Sequence, residues 1–435
     1  MPIPSPLLIR LAVLVLLAGI AASIFPALAP LWPALVVMGL FVATFDAALG
    51  WRGPALDARR AVPASLPLGV WHDIVLRIHN GGRGALAVRI FDHHPAGLQA
   101  RGLPQAVMLP RSGWAEIRYG VRPVERGDQR FGSIELRVMS PLGLWEFRRY
   151  AGESALTRVY PNFAALTKYA LFATDNRLSQ IGILRRRRRG EGLEFHQLRE
   201  YREGDSLRSI DWKATARSNR VIAREYQDER DQQVLLVIDC GRRMAAQDGE
   251  LAHFDHVLNA ALLLAYVGLR QGDAVGFMTM SGVERFFAPR KSATTVNLIL
   301  NSLYDLQPTL ATTDYYAAAL ALGARLKKRA LVVILSNLRD EDDDTLAPAL
   351  ELLRARHLVL FASLRENILS RALKTRVTTF ERALTHAAAA DYLRERALVF
   401  RRIERRGALC LDVEPPRLAV ALVNRYLDIK RSGRL

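Results

Sequence analysis

Two apolar runs at the start of the chain, parted by a proline-bracketed turn, constrain its fold more than any other feature. From Leu11 to Ala29 the sequence LAVLVLLAGIAASIFPALA carries no charge, and at ~1.5 Å per helical residue it approaches the ~30 Å thickness of a hydrocarbon layer. Pro30 and Pro33 bracket the turn, and a second run extends from Leu31 to Phe45, before Asp46, Trp51 and Arg52. Backbone in lipid must satisfy its own hydrogen bonds, so residues 1–52 are predicted to form a transmembrane hairpin with helices at about 11–29 and 31–49. A cleaved signal peptide is the competing reading, because Arg10 precedes the first run and AASIFPALA offers small residues; the second run argues against it. Arg10 lies before the first helix and Arg52, Arg59 and Arg60 follow the second, while the turn has no cation. By the positive-inside tendency both ends face the cytoplasm. Asp46 would be costly deep in lipid and is expected at the interfacial end of the second helix, not as a buried functional acid. The runs Leu258 to Leu269 and Tyr316 to Leu326 are too short to span and read as core helices.

With 435 residues, half of them hydrophobic and a quarter charged, the remainder suits two or three globular domains. The first fifty residues hold one base and one acid, so the net charge of +18 sits on the rest. Such a charge favours anionic lipid, nucleic acid or an acidic protein; solubility and attraction to the adjacent bilayer is the preferred reading. Cys240 and Cys410 form neither a disulfide framework nor a metal-ligand spacing, which fits a reducing compartment.

Between residues 60 and 163 the hydrophobic period is two, in Ile74-Leu76-Ile78, Leu86-Val88-Ile90, Ile117-Tyr119-Val121 and Ile134-Leu136-Val138, with turns at Asn80-Gly81-Gly82 and Arg126-Gly127-Asp128. Short strands so spaced predict an all-β sandwich, with a closed barrel as the alternative. His72, His79, His93 and His94 fall here without ligand spacing and are expected to bind no metal.

A connector is expected at 164–230. It opens on a helix-like stretch, Ala164 to Phe172, carries five arginines at Arg185 to Arg189, and continues as GEGLEFHQLREYREGDSLRSIDWKATARSNRVIAREYQDE from Gly190 to Glu229. Glu194, Phe195, Leu198, Arg199, Tyr201, Gly204, Asp205, Arg208, Asp211, Trp212, Ala216, Arg217, Arg224, Glu225, Tyr226 and Glu229 in this segment strongly resemble the signature of the bacterial family catalogued as domain of unknown function 58. The resemblance extends to Arg126-Gly127, to Ser140-Pro141-Leu142-Gly143-Leu144 and to Tyr426-Leu427, and so covers essentially the whole chain. It implies membrane helices and a sandwich joined to a von Willebrand factor A-like domain, in the inner (plasma) membrane of a bacterium. Chemically, the segment interleaves opposite charges with large apolar groups: Arg199 beside Glu200, Asp205 with Arg208, Asp211 with Arg217, and Arg224 beside Glu225. Such pairs can fix an irregular backbone, while Phe195 and Trp212 anchor it to a core. The favoured role is a structural clasp between domains, and a docking surface is the alternative. The arginine run reads as a solvated loop, with lipid phosphate as its best functional target.

From residue 231 to 435 strands alternate with helices: VLLVIDC, a helix about His253 to Arg270, AVGFMTM, FFAPR, helices about Thr295 to Asp305 and Asp314 to Lys327, ALVVILSN, a helix about Thr345 to Ala355, LVLFASL, ALCLDV, and a helix Pro416 to Asp428. That alternation predicts a mainly parallel sheet covered on both faces, similar to the von Willebrand factor A fold. The resemblance places an ion site at the carboxyl ends of the strands, at Asp239, Gly241, Arg243, Thr313 and Asn337. Two hydroxyls and one carboxylate of that pattern are missing here. Arg243 is therefore expected to pair with Asp239 in place of the ion, leaving no cofactor, with magnesium the minor alternative. The acidic run Asp340 to Asp344 lacks EF-hand spacing and reads as helix capping.

No phosphate-binding loop, metalloprotease helix or nucleophile elbow occurs, so the expectation is a non-enzymatic, membrane-anchored adaptor that binds protein. The resemblance further implies a MoxR-type AAA+ ATPase and an unknown client as partners. A basic module for anionic lipid or nucleic acid is the runner-up, with nucleic acid disfavoured.

Overall fold

The computed structural model describes residues 2–25, 29–162, 194–202, 205–227, 232–339 and 342–434. The helix-like stretch 164–172 and the arginine run 185–189 lie outside the described residues. Two compact units divide the chain, Met1–Tyr160 and Pro161–Leu435.

In the first unit, helix α1 (Pro6–Ile24) starts ahead of the apolar run because Ser5 caps it: Leu8 N donates to Ser5 Oγ at 3.2 Å, and Pro6 occupies the first turn. It stops at Phe25, which is extended before a proline. Helix α2 (Leu31–Trp51) follows. Both are long and apolar enough to cross a membrane. They touch where Trp32 Nε1 donates to Val15 O at 3.1 Å, and a Cβ on Gly19 would lie 2.6 Å from that nitrogen, so only glycine admits the approach.

Asp46, near the end of α2, is fully buried by protein, because the loop Ser140–Leu144 wraps it. Ser140 Oγ donates at 2.5 Å, Leu142 N at 2.9 Å and Leu144 N at 3.2 Å. The same loop accepts from Ser5, through Ser5 Oγ to Gly143 O at 2.6 Å and Ser5 N to Leu144 O at 2.9 Å. A short strand β1 (Pro2–Pro4) then pairs with a strand just beyond that loop, Trp145–Ala151. Trp145 Nε1 donates to Ala43 O at 2.8 Å. Both apolar helices are thus bonded into the sheets and form one unit with them.

The rest of this unit comprises β2 (Leu56–Ala61), β3 (Ser65–Pro67), β4 (His72–Asn80), β5 (Leu86–Asp92), β6 (Leu98–Arg101), β7 (Gln105–Leu109), β8 (Trp114–Pro123), β9 (Gly127–Phe131), β10 (Ile134–Met139), β11 (Trp145–Ala151) and β12 (Ala155–Tyr160). They form sheets ordered β1-β11-β10-β5-β7, β2-β4-β8-β6 and β3-β12-β9. The period-two residues Ile74, Leu76, Ile78, Val88, Ile90, Leu136 and Val138 are all buried, one face per sheet. A buried ion pair links the two larger sheets. Arg60 of β2 donates from Nε to Asp92 Oδ2 of β5 at 2.9 Å and from Nη2 to Gly132 O at 2.8 Å, and the Tyr119 hydroxyl of β8 also donates to Asp92.

In the second unit, β13 (Glu194–Glu200) and β14 (Ile222–Gln227) form a hairpin around a short helix α3 (Trp212–Ser218). The α/β sheet contains β15 (Gln233–Asp239), β16 (Ala274–Met280), β17 (Phe286–Arg290), β18 (Leu331–Ser336), β19 (Leu358–Leu364) and β20 (Leu409–Val413), ordered β17-β16-β15-β18-β19-β20 with β17 antiparallel. Val234, Leu236 and Ile238 pack on α4 (His253–Arg270), α5 (Thr295–Leu303) and α10 (Leu418–Arg431). Leu235 and Val237 face α6 (Tyr315–Arg325), α7 (Asp343–Arg354) and α9 (Phe380–Arg405). Helices α8 (Asn367–Lys374) and α9 were not expected from sequence. The apolar face of α9 is thin and arginine-rich, and one of its buried residues is Arg396, which donates to Ser363 Oγ at 2.7 Å and to Leu364 O at 2.6 Å. Tyr426 is buried on α10, where its hydroxyl and Lys430 both reach the buried Asp273.

Asp46→Ala removes one acceptor and strands three donors, which is expected to cost about 3 kcal/mol. Thermal unfolding of the full chain in detergent checks this, with Asp46→Asn, which keeps one oxygen, losing less.

Candidate functional site

In a sheet ordered as this one, ligands bind at the carboxyl edge where successive connections diverge. Here that point lies between β15 and β18, and Asp239 and Ser336 end those two strands. Asp239 is fully buried. Its Oδ1 accepts from Gly241 N at 2.8 Å, its Oδ2 from Ser336 Oγ at 2.6 Å, and Thr313 Oγ1 donates to it at 2.9 Å. Tyr315 Oη lies 2.8 Å from Ser336 Oγ. The loop bringing Thr313 is stitched to the loop after β15 by Thr309 N to Cys240 O at 2.7 Å and Arg242 N to Ala311 O at 3.0 Å. Burial raises the Asp239 carboxyl above its ordinary pKa, and the Ser336 hydrogen bond opposes that rise.

The remaining expected residues behave differently. Arg243 does not stand in for an ion at Asp239, since its Nη1 donates to Asp342 Oδ2 at 2.5 Å. Asp342 also accepts from Arg339 N at 2.9 Å, so one acid of the run assigned to capping is an ion-pair partner. Asn337 is buried but turns its amide to Glu366 Oε1, 2.8 Å away. Ser336 and Tyr315 were missed. Their signal was the serine ending an apolar strand beside Asn337, where a hydroxyl faces the neighbouring strand end.

A magnesium ion demands near-octahedral oxygen ligands at ~2.1 Å. At this site hydroxyl donors engage the carboxylate, and a Cβ on Gly241 would lie 2.8 Å from Thr313 Oγ1. One carboxylate and two hydroxyls, without a second acid bonded to them among the described residues, are a poor match to that demand.

The hairpin is held by ion pairs other than the sequence neighbours. Arg199 binds Asp205 through two bonds of 2.7 and 2.8 Å, which holds the Asp205 carboxyl down at about 2. Asp211 caps α3 through Lys213 N and Ala214 N, each at 3.0 Å, and takes Arg224 Nε at 2.9 Å. Glu200 pairs with Arg220 at 2.6 Å. Antiparallel pairing brings residues 199–200 opposite 222–223 and so sets Glu200 near Arg220, while a local turn at Arg202 brings Asp205 back to Arg199. Trp212 does not anchor a core, being 70% exposed, and Arg217 is exposed as well. The side chains of Glu194, Phe195, Arg208 and Glu225 lie outside those described.

Asp239→Ala leaves the buried Ser336 hydroxyl and the half-buried Thr313 hydroxyl without their acceptor and should cost about 2–3 kcal/mol, Asp239→Asn less. The native carboxyl holds its proton to higher pH than the unfolded chain does. Its contribution is therefore largest below the unfolded value near ~3.9 and is lost as pH rises through the folded value. Unfolding of the full chain against pH should show this fall, flattened in Asp239→Asn. Magnesium titrated calorimetrically into the full chain should give no heat that depends on Asp239; a tight isotherm abolished by Asp239→Ala would overturn the fit argument.

Comparison with known proteins gives a match to a family over part of the chain. The model of the family described as "Protein of unknown function DUF58" matches residues 197–386, spanning the hairpin, the Asp239 network and α8. The Bacillus subtilis "Uncharacterized protein YeaD" is 22% identical over 179 residues, covering 39% of this chain and 40% of that protein, so the chain spans less than half of this curated relative. Among solved structures, an aerotolerance-related membrane protein from Bacteroides fragilis is 16% identical with a TM-score of 0.30, covering 46% of this chain and 99% of that one. Native alpha-2-macroglobulin from Escherichia coli is also 16% identical, with a TM-score of 0.22 and coverage of 25% and 17%. Scores this low carry no inference about fold or activity. Most of the signature residues fall within the family match, so residues 197–386 of this chain are similar to the DUF58 family.

Proposed function

We propose that this protein is a membrane-anchored, non-enzymatic adaptor: an α1–α2 anchor, a β-sandwich, and a von Willebrand factor A-like domain that binds protein at the carboxyl edge of its sheet. The observation that carries this reading is Leu310. It is 92% exposed, more than any other large hydrophobic among the described residues, and lies on the loop that delivers Thr313 to Asp239. A rigid, internally saturated network presenting a solvated leucine at a sheet's ligand-binding edge suits an apolar pocket on a partner better than it suits a reacting substrate.

In this reading the soluble units lie in the cytoplasm, a placement supported by Arg10 near the start of α1 and by Arg52, Arg59 and Arg60 after α2. The family resemblance supplies the partner in this reading, a MoxR-type AAA+ ATPase acting on an unknown client. Purification of the tagged full chain from native membranes is expected to retain such an ATPase, and Leu310→Glu to lose it without loss of thermal stability. Absence of the ATPase from wild-type preparations would reject the partnership, and unchanged retention by Leu310→Glu would reject the docking edge.

A further inference from the structure

The segment joining α8 to α9 is built unlike the rest of the α/β unit. Every residue from Lys374 to Arg382 is exposed. Phe380 is 79% exposed and Ile368 66%, with Leu384 at 56% and Val377 at 47%. Phe380 and Leu384 stand four apart on α9 and therefore share a helical face. Exposed apolar residues grouped in this way mark an interaction surface.

The charge around them is one-sided. From Asn367 to Ala390 the chain carries Arg371, Lys374, Arg376 and Arg382 against Glu381 alone. Arg371, Lys374 and Arg376 make no ion pair among the described residues, while Arg382 Nη1 donates to Thr378 Oγ1 at 2.7 Å. Apolar side chains set among unpaired cations are the composition of a surface that rests in the headgroup layer of an anionic membrane: the rings and aliphatic groups enter the acyl boundary while the cations meet lipid phosphates. A second copy of this chain is a poor occupant, because each copy brings a net charge of +18. A bilayer is always at hand, since α1 and α2 are long and apolar enough to lie in one.

We infer that residues 367–384 form a peripheral membrane contact that inserts Phe380 and its apolar neighbours into an anionic leaflet. This contact would hold the α/β unit at the bilayer independently of the anchor helices, and it does not depend on the adaptor reading.

The test uses the full chain in lipid nanodiscs with an environment-sensitive fluorophore on Val377→Cys. The native thiols will not compete, because Cys240 is buried and burial pushes the Cys410 thiol up to about 12. In phosphatidylcholine discs containing phosphatidylglycerol the probe should shift to the blue and be quenched by doxyl-labelled lipid. Both effects should be lost in pure phosphatidylcholine and in Arg371→Glu/Lys374→Glu/Arg376→Glu. A probe on Val283→Cys, also exposed, reports the aqueous baseline. An aqueous spectrum at 377 in anionic discs would overturn the inference. So would a blue shift without lipid quenching, which would indicate a protein occupant, or quenching equal in both lipids, which would remove the role of charge.

Discussion

A carboxylate taken out of water must be met by donors, and this chain is organised around places where that happens. Asp46 is met by Ser140 Oγ and by the amides of Leu142 and Leu144. The consequence reaches beyond one side chain, because the loop that supplies them also receives Ser5 at the start of α1. Two helices that are otherwise apolar thereby gain a fixed polar attachment to the sheets, where a greasy surface alone would leave them free to rotate. The cost of stranding the acid makes the attachment specific.

The same rule shapes the sheet edge in the second unit. Asp239 is closed off by Ser336, Thr313 and Gly241, and the bonds between residues 240–242 and 309–311 hold the loops that bring them. Arg243 settles on Asp342, so charge is balanced by a second acid. Leu310 lies exposed on one of those loops. The family match covers this network together with most of the hairpin that precedes it.

The outlines of the fold were legible because period is a strong signal. The uncharged runs gave α1 and α2, alternation at Ile74, Leu76 and Ile78 gave β4, and fully apolar runs such as VLLVID gave the central strands of a sheet covered on both faces. α8 and α9 were not legible, since α9 hides its core contacts, Val399, Phe400 and Ile403, within an arginine-rich sequence. The ion pairs of the hairpin were misread for a related reason. Adjacency in sequence pairs Arg199 with Glu200, yet neighbouring residues on a strand point to opposite faces, and the turn presents Asp205 to Arg199 instead.

By itself the sequence determined which segments are apolar enough for lipid, where the hydrophobic period changes from two to that of alternating strands and helices, and which stretch carries the family signature. Those properties depend on composition and local spacing, which need no partner. Tertiary structure alone decided that Asp46 is buried, that Asp239 bonds to Ser336 and not to Arg243, and that Phe380 is left exposed. Each depends on which group from a distant part of the chain arrives within hydrogen-bonding or packing distance, and Asp46 and Ser140 are ninety-four residues apart.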